Sequence, residues 1–169
     1  MSKYITTFII LPLIVSISGC AGAPKTVDDL RSRFQEGSMW LKSETHTVKR
    51  PLKDVVDSFK HKAIACFNAT KSVKEFSNGY YSTASSTAYL AVLKRENKNM
   101  YAFTIQDNIG NAVYIGGVPK GGQYNFLADI QKINKSTTKV TLNGIHMKST
   151  KYFDAVLAWA NGKNASCPL

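Results

Sequence analysis

The chain has 169 residues and carries 22 Lys and Arg against 11 Asp and Glu, a formal net charge of +11. That length suits one domain with a sizeable core. The basic balance admits nucleic acid, anionic lipid or a polyanionic polymer. No RNP-like aromatic strand, zinc knuckle or helix-turn-helix signature accompanies it, so nucleic acid is not expected as a partner.

In chain order the first element is an apolar N-terminus. Lys3 gives a short basic region, Tyr4 to Ile17 an apolar core containing Pro12, and small residues lead directly to Cys20. The run is too short to cross a bilayer, which takes about 20 apolar residues. Its order of basic, apolar and small residues is that of a secretory leader. The tetrad Ile17-Ser18-Gly19-Cys20 resembles the lipobox of bacterial lipoproteins, with Ile17 where that family most often has Leu. The resemblance implies a cut before Cys20, a diacylglycerol on its thiol and an acyl group on the new amine. Residues 1–19 are then a signal peptide, and the mature chain is the 150 residues from Cys20 onward. Several acyl chains give durable attachment at about 0.8 kcal/mol per buried CH2. Ala21 stands where an Asp would look like an inner-membrane retention signal. The implied address is therefore the periplasmic leaflet of the outer membrane, with the lipid bilayer as a partner. Ala21 to Lys25 reads as a short tether, so residues 20–37 hold the lipidated cysteine, the tether and a short helix.

That helix is expected over Thr26 to Phe34, capped by Thr26 and with Asp28 and Asp29 in its first turn. Gly37 ends it, and a single domain is expected over residues 38–169. Its first strand ends in Thr45-His46-Thr47-Val48. Pro51 suits the first helical position, and Leu52, Val55, Val56, Phe59, Ala63, Ile64 and Phe67 follow at helical spacing, predicting about four amphipathic turns. Residues 68–88, rich in Ser, Thr and Asn, read as a loop or an irregular edge strand.

Strand-like segments follow at Tyr89 to Arg95 and Met100 to Gln106, joined by a turn at Glu96 to Asn99. Asp107 to Asn111 reads as the next turn, Ala112 to Val118 as a strand, and Pro119 to Gly122 as another turn. Tyr124 to Ile130 alternates, with Phe126, Ala128 and Ile130 on one face. Lys139 to Met147 supplies a last strand broken at Gly144. Tyr152 to Asn161 is helical, capped by Ser149 or Thr150 and stopped by Gly162.

The fold class expected from this order is α+β: an antiparallel sheet with two principal helices on one face and the other face open to solvent or a ligand. In layout, residues 45–162 resemble the helix-grip and TATA-box-binding-like domains, including those of outer-membrane assembly lipoproteins of the BamC type.

Lipidation of Cys20 leaves Cys66 and Cys167. In an oxidising compartment two thiols suggest one disulfide, closing a loop of about 100 residues, worth roughly 4–5 kcal/mol in the chain-entropy picture. A reactive Cys66 assisted by His61 is the weaker option, because helix positions five apart do not face each other. His46, His61 and His146 show no metal-ligand spacing, so no metal or cofactor is expected. Asp107 and Asp129 would form a catalytic pair only if they faced each other. Gly116-Gly117 and Gly121-Gly122 lack phosphate-loop context and read as turns.

No catalytic set emerges. The leading expectation is a non-enzymatic lipoprotein that binds a periplasmic or envelope protein, through exposed chemistry at Lys49, Arg50, Lys53, Tyr80 and Tyr81. The alternatives are a small apolar ligand or an enzymatic activity in a cavity lined by Tyr101, Phe103, Phe126, Phe153 and Trp159, or an anionic envelope polymer held by the basic excess.

Overall fold

The computed structural model describes residues 24–37, 41–77, 80–109 and 119–169. A first helix, α1 (Val27–Glu36), precedes strand β1 (Leu41–Val48). Helix α2 (Leu52–Ser58) runs through a π-helical turn (Phe59–Ala63) into α3 (Ile64–Phe67). Strands β2 (Thr70–Ser77), β3 (Tyr80–Asn97), β4 (Met100–Ile109), β5 (Gln123–Lys132) and β6 (Thr138–Ile145) lead to the C-terminal helix α4 (His146–Ala160). The strands form a six-stranded sheet in the order β1-β6-β5-β4-β3-β2, every neighbouring pair antiparallel. The first strand thus crosses to the far edge and pairs with the last, while the helices between β1 and β2 return the chain to the opposite edge. With α2–α3 and α4 packed on one face, the layout is α+β and helix-grip-like.

The apolar pattern dictates that face. Val55, Val56, Phe59, Ala63 and Phe67 from α2–α3 are buried against Phe103 and Ile105 of β4 and Phe126, Ala128 and Ile130 of β5. From α4 come Tyr152, Phe153, Ala155, Val156, Trp159 and Ala160. Ring contacts knit the layers together. Phe67 meets Tyr152 edge-on at 5.1 Å between centroids and Trp159 at 6.0 Å. Phe126 meets Phe153 at 5.6 Å. Such edge-to-face pairs add about 0.5–1.5 kcal/mol each beyond their buried area.

Of the two readings of residues 68–88, the strand holds. They contain the edge strand β2, irregular at a register shift between Val73 and Lys74, and the first half of an 18-residue β3. Several boundaries differ from the sequence reading for identifiable reasons. Pro51 is the residue flanking α2, one position before its first helical residue. Asp107 continues β4 and does not start a turn. Gly144 does not break β6, because a buried glycine there pairs with Lys42 on one side and Phe126 on the other. Helix α4 begins at His146, with Ile145 as its uncapped N-terminal neighbour, so neither Ser149 nor Thr150 caps it. Thr26 and Asp29 do form a full capping box on α1. The expected strand at Ala112 to Val118 and the Gly116-Gly117 turn lie outside the described residues.

Positive φ values of 99° and 104° at Gly121 and Gly122 build the turn into β5. A Cβ on Gly122 would collide with the Asp107 carbonyl, so only glycine fits there. The Gln106 side chain, 4% exposed, donates to the carbonyls of Lys120 (3.3 Å) and Gly122 (3.0 Å) and locks the turn.

The C-terminal tail is fastened to α2–α3. Cys66 and Cys167 are disulfide-bonded with Cα atoms 5.5 Å apart and a sequence separation of 101. Lys62 donates to the Lys163 carbonyl (3.2 Å) and the Asn164 side chain (2.7 Å), and Trp159 Nε1 donates to the Ala165 carbonyl (3.1 Å). Replacing both cysteines by serine should lower unfolding free energy by about 2–4 kcal/mol. Urea unfolding of the oxidised protein beside the double variant measures this, and equal midpoints would refute a stabilising bridge.

Candidate functional site

Alternation along β4 gives the sheet two unlike faces. Tyr101, Phe103 and Ile105 point to the helices, whereas Ala102 joins Leu127 of β5 in a second, smaller cluster on the outer face. Leu30 of α1, 4% exposed, completes that cluster, with Val27, Phe34 and Tyr124 packed around it. The outer face, left open by the sequence reading, therefore carries a helix of its own.

An ion pair fixes how α1 lies. Arg31 Nε and Nη2 donate to the Asp129 carboxylate at 3.1 and 2.7 Å, while Nη1 donates to Asp28 at 2.7 Å. Hydrogen bonding to Asp129 raises the Arg31 pKa further above its ordinary value, against the opposing effect of burial. Asp129 is thus a half-buried anchor and not a solvated side chain. It also lies on the opposite face from Asp107, whose strand register turns it toward the helices near Tyr152. The two carboxylates do not face each other, which removes the arrangement a catalytic pair would need.

Because α1 crosses the face on few contacts, it leaves a groove beside it. The space, about 420 Å³, is walled by Pro24, Leu30, Phe34, Leu41, Tyr124 and Ile145. Arg33, Glu36, Gln123 and Asn125 supply its polar margin. Asn125 has no partner position in the β4–β5 register: Ile105 pairs with Phe126 and Gln106 with Tyr124. That bulge re-aims β5 and turns Tyr124 outward into the groove. On the other flank of α1 a second space of about 300 Å³ is lined by Val27, Val92, Lys94, Thr104 and Tyr124 among others. A mainly apolar wall with a few polar groups at this volume is the usual composition of a small-ligand site.

On the inner face, the aromatics proposed from sequence to line a cavity pack on one another. Phe103 and Phe126 are fully buried, and Phe153 and Trp159 are each 2% exposed. Tyr101 is half-buried at the margin, beside Leu52 and Val56 of α2. Tyr152 is a polar group in this interior, close to Tyr89 and Asp107. Burial first, then its hydrogen bond with Tyr89 and the negative charge of Asp107, hold its hydroxyl neutral well above the ordinary range.

The surface residues singled out from sequence do not form one patch. Lys49 is exposed, and Lys53 is exposed and paired with Asp57 at 2.8 Å. Lys53 sits close to Lys98, in the turn that follows β3, whereas Tyr80 and Tyr81 begin β3 at its far end. Arg50 is turned to the interior. It donates to Ser58 (3.1 Å) and to the carbonyls of Ala160 (2.8 Å) and Trp159 (3.4 Å), at the C-terminal end of α4. Cys20 lies outside the described residues. The sequence reading left this outer face open to solvent or a ligand but did not place α1 on it, although the apolar Val27, Leu30 and Phe34 on an otherwise charged α1 were the available signal.

No family model matches the chain, and no curated protein matches it. Among solved structures it is similar to a START superfamily protein from Mycobacterium smegmatis, at 9% identity and a TM-score of 0.38 over 72% of this chain and 94% of that one. It is also similar to Ara h 8.0201, at 14% identity and the same score and coverage. An uncharacterised protein from Bacillus thuringiensis follows at 10% identity and a TM-score of 0.29, over 72% of this chain and 90% of that one. Likeness at that level carries no inference about activity, and the helix-grip layout rests on this chain's own strand order and packing.

The Arg31–Asp129 pair should decide whether α1 stays docked. Asp129→Asn is expected to cost about 1–2 kcal/mol, between the figures for exposed pairs and for hydrogen bonds to charged groups. Hydrogen exchange would locate the loss: α1 amides should exchange at least several-fold faster while those of β4 and α4 keep their protection. Unchanged α1 protection would show that the pair does not hold the helix.

Proposed function

We propose that this chain is a lipid-anchored domain of the bacterial envelope that binds a small, mainly apolar molecule in the groove between α1 and the outer face of the sheet. The observation that carries the reading is the groove itself, about 420 Å³ with walls of Leu30, Phe34, Leu41, Tyr124 and Ile145. Its size falls within the range of roughly 300–1,000 Å³ common to small-molecule sites. The anchor comes from the lipobox resemblance at Ile17 to Cys20, and the outer membrane from Ala21. Among the described residues no helix is long and apolar enough to cross a membrane.

The test of the groove uses the chain from Ala21 onward, exported behind a conventional cleavable leader, and an environment-sensitive apolar dye. Dye fluorescence should saturate with one site, and Phe34→Ala or Leu30→Asp should weaken binding by about tenfold or more, since each removes a wall contact worth roughly 1.5–3 kcal/mol when buried. Equal binding by the parent and both variants would place any site elsewhere. Mass spectrometry of native protein addresses the anchor separately, by asking whether residue 20 begins the chain and is acylated.

A second reading is favoured by a different observation. Lys53, Lys60 and Lys98 outnumber the one carboxylate, Asp57, around a space of about 230 Å³ beside α2, within a mature chain of 21 basic and 11 acidic residues. These cations suit an anionic envelope polymer. Such binding should fall steeply from low to physiological salt as screening shortens the reach of the charges; salt-insensitive binding would end this reading.

A further inference from the structure

We infer that the resident occupant of the groove is one of the acyl chains carried by Cys20 of the same molecule. This rests on the reading of the groove as an apolar-ligand site and of Cys20 as acylated, and it names the ligand.

The argument starts from reach. Pro24 is buried and lines the groove, and Cys20 precedes it by four residues. Four residues span at most about 14 Å when fully extended. The Cα of Cys20 is therefore held within that distance of a groove-lining residue whatever path the tether takes. A hydrocarbon chain so placed is presented at an effective concentration on the order of millimolar, as for any short flexible linker. A free ligand would have to compete against that figure.

The energetics favour the exchange. An acyl chain in the bilayer and one in an apolar groove are both removed from water, at the same gain of about 0.8 kcal/mol per CH2. The transfer itself is close to neutral. What differs is the groove, whose half-exposed Phe34, Leu41, Tyr124 and Ile145 meet solvent unless something covers them. Covering them adds the burial of their apolar surface at about 25 cal/mol per Å². Two chains suffice for stable attachment, so a cysteine with a diacylglycerol and an acylated amine can release one chain and remain in the membrane. The outcome is a globule pinned with α1 and the outer sheet face toward the lipid, and a groove closed to exogenous molecules until the chain leaves.

The test uses the full acylated protein in lipid nanodiscs, with a photoreactive benzophenone side chain in place of Phe34, and separately in place of Leu41 in case the first position displaces α1. After irradiation and proteolysis, mass spectrometry should find the photoreactive peptide joined to the N-terminal peptide bearing acylated Cys20. Cross-links only to nanodisc lipid, or to no hydrocarbon, from both positions would overturn the inference. Alongside, the dye should bind the acylated protein at least tenfold more weakly than the chain from Ala21 onward. Equal dye binding by the two forms overturns self-occupancy while leaving the groove site standing. Absence of dye binding from the unacylated form removes the groove reading and this inference together, and an unmodified residue 20 removes the anchor and this inference while leaving the groove site standing.

Discussion

Burial of α4 against the inner face of the sheet is the constraint from which the other features follow. Its buried residues include Tyr152, Phe153 and Trp159, and a buried aromatic side chain removes about 150–250 Å² from water. At about 25 cal/mol per Å² each is worth several kcal/mol before entropy is subtracted. No other described helix offers comparable aromatic surface. For α4 to be held, the strands on either side of it must be fixed, and the β1–β6 pairing does this by bringing the first strand beside the last. The helix is then tied at its C-terminal end by two independent devices. Arg50 places a positive charge on the Trp159 and Ala160 carbonyls, where the helix dipole is negative. The Cys66–Cys167 bridge joins the following tail to α3.

Committing the aromatic side chains to the inner face has a consequence for the outer one. Strands alternate, so β4 and β5 present Ala102, Thr104, Leu127 and Asp129 outward, a thinner and more polar set. Such a face holds a helix weakly. α1 compensates with a guanidinium–carboxylate contact and with a capping box that stabilises the helix before it docks. A buried leucine with its apolar neighbours and the Arg31–Asp129 ion pair set its position without sealing the surface beneath. The groove is therefore what remains when a slim helix crosses a face whose best packing residues have gone to the other side.

The same division explains which features the sequence displayed. Helix α2–α3 declared itself because Val55, Val56, Phe59, Ala63 and Phe67 are buried at helical spacing, and its π-helical turn leaves that spacing intact. Strands β4 and β5 did so because inner and outer residues alternate cleanly. In contrast, Lys71, Ser72, Lys74, Glu75, Ser82 and Thr83 offer no apolar alternation, and β2 with the start of β3 form through backbone pairing whose register no side-chain pattern announces. The first turn of α4, His146-Met147-Lys148-Ser149-Thr150, lacks both cap and stripe, and continuity with Tyr152 onward extends the helix backward. The groove was harder still. It depends on α1 returning to the sheet, a contact between Arg31 and Asp129 separated by 98 positions, and on a one-residue bulge at Asn125. Neither leaves a local trace. Arg50 was misleading for a related reason: a cation next to a helix start looks like surface chemistry until the end of α4 is seen beside it.

The two faces also assign different physical demands to the two ends of the molecule. The disulfide, the Arg50 clamp and the Trp159–Ala165 hydrogen bond all act on the C-terminal side, where they resist unfolding. Among the described residues the N-terminal side shows no disulfide or comparable clamp: α1 docks through Leu30 and its apolar neighbours and through the Arg31–Asp129 ion pair, among other contacts. Segments with few buried apolar contacts open most readily, and α1 docks through a small cluster centred on Leu30. The helix is also the described element nearest the proposed anchor, joined to it by the short segment Ala21 to Lys25. In the proposed anchored form, a lipid at Cys20 would act first on α1, the described element nearest to it.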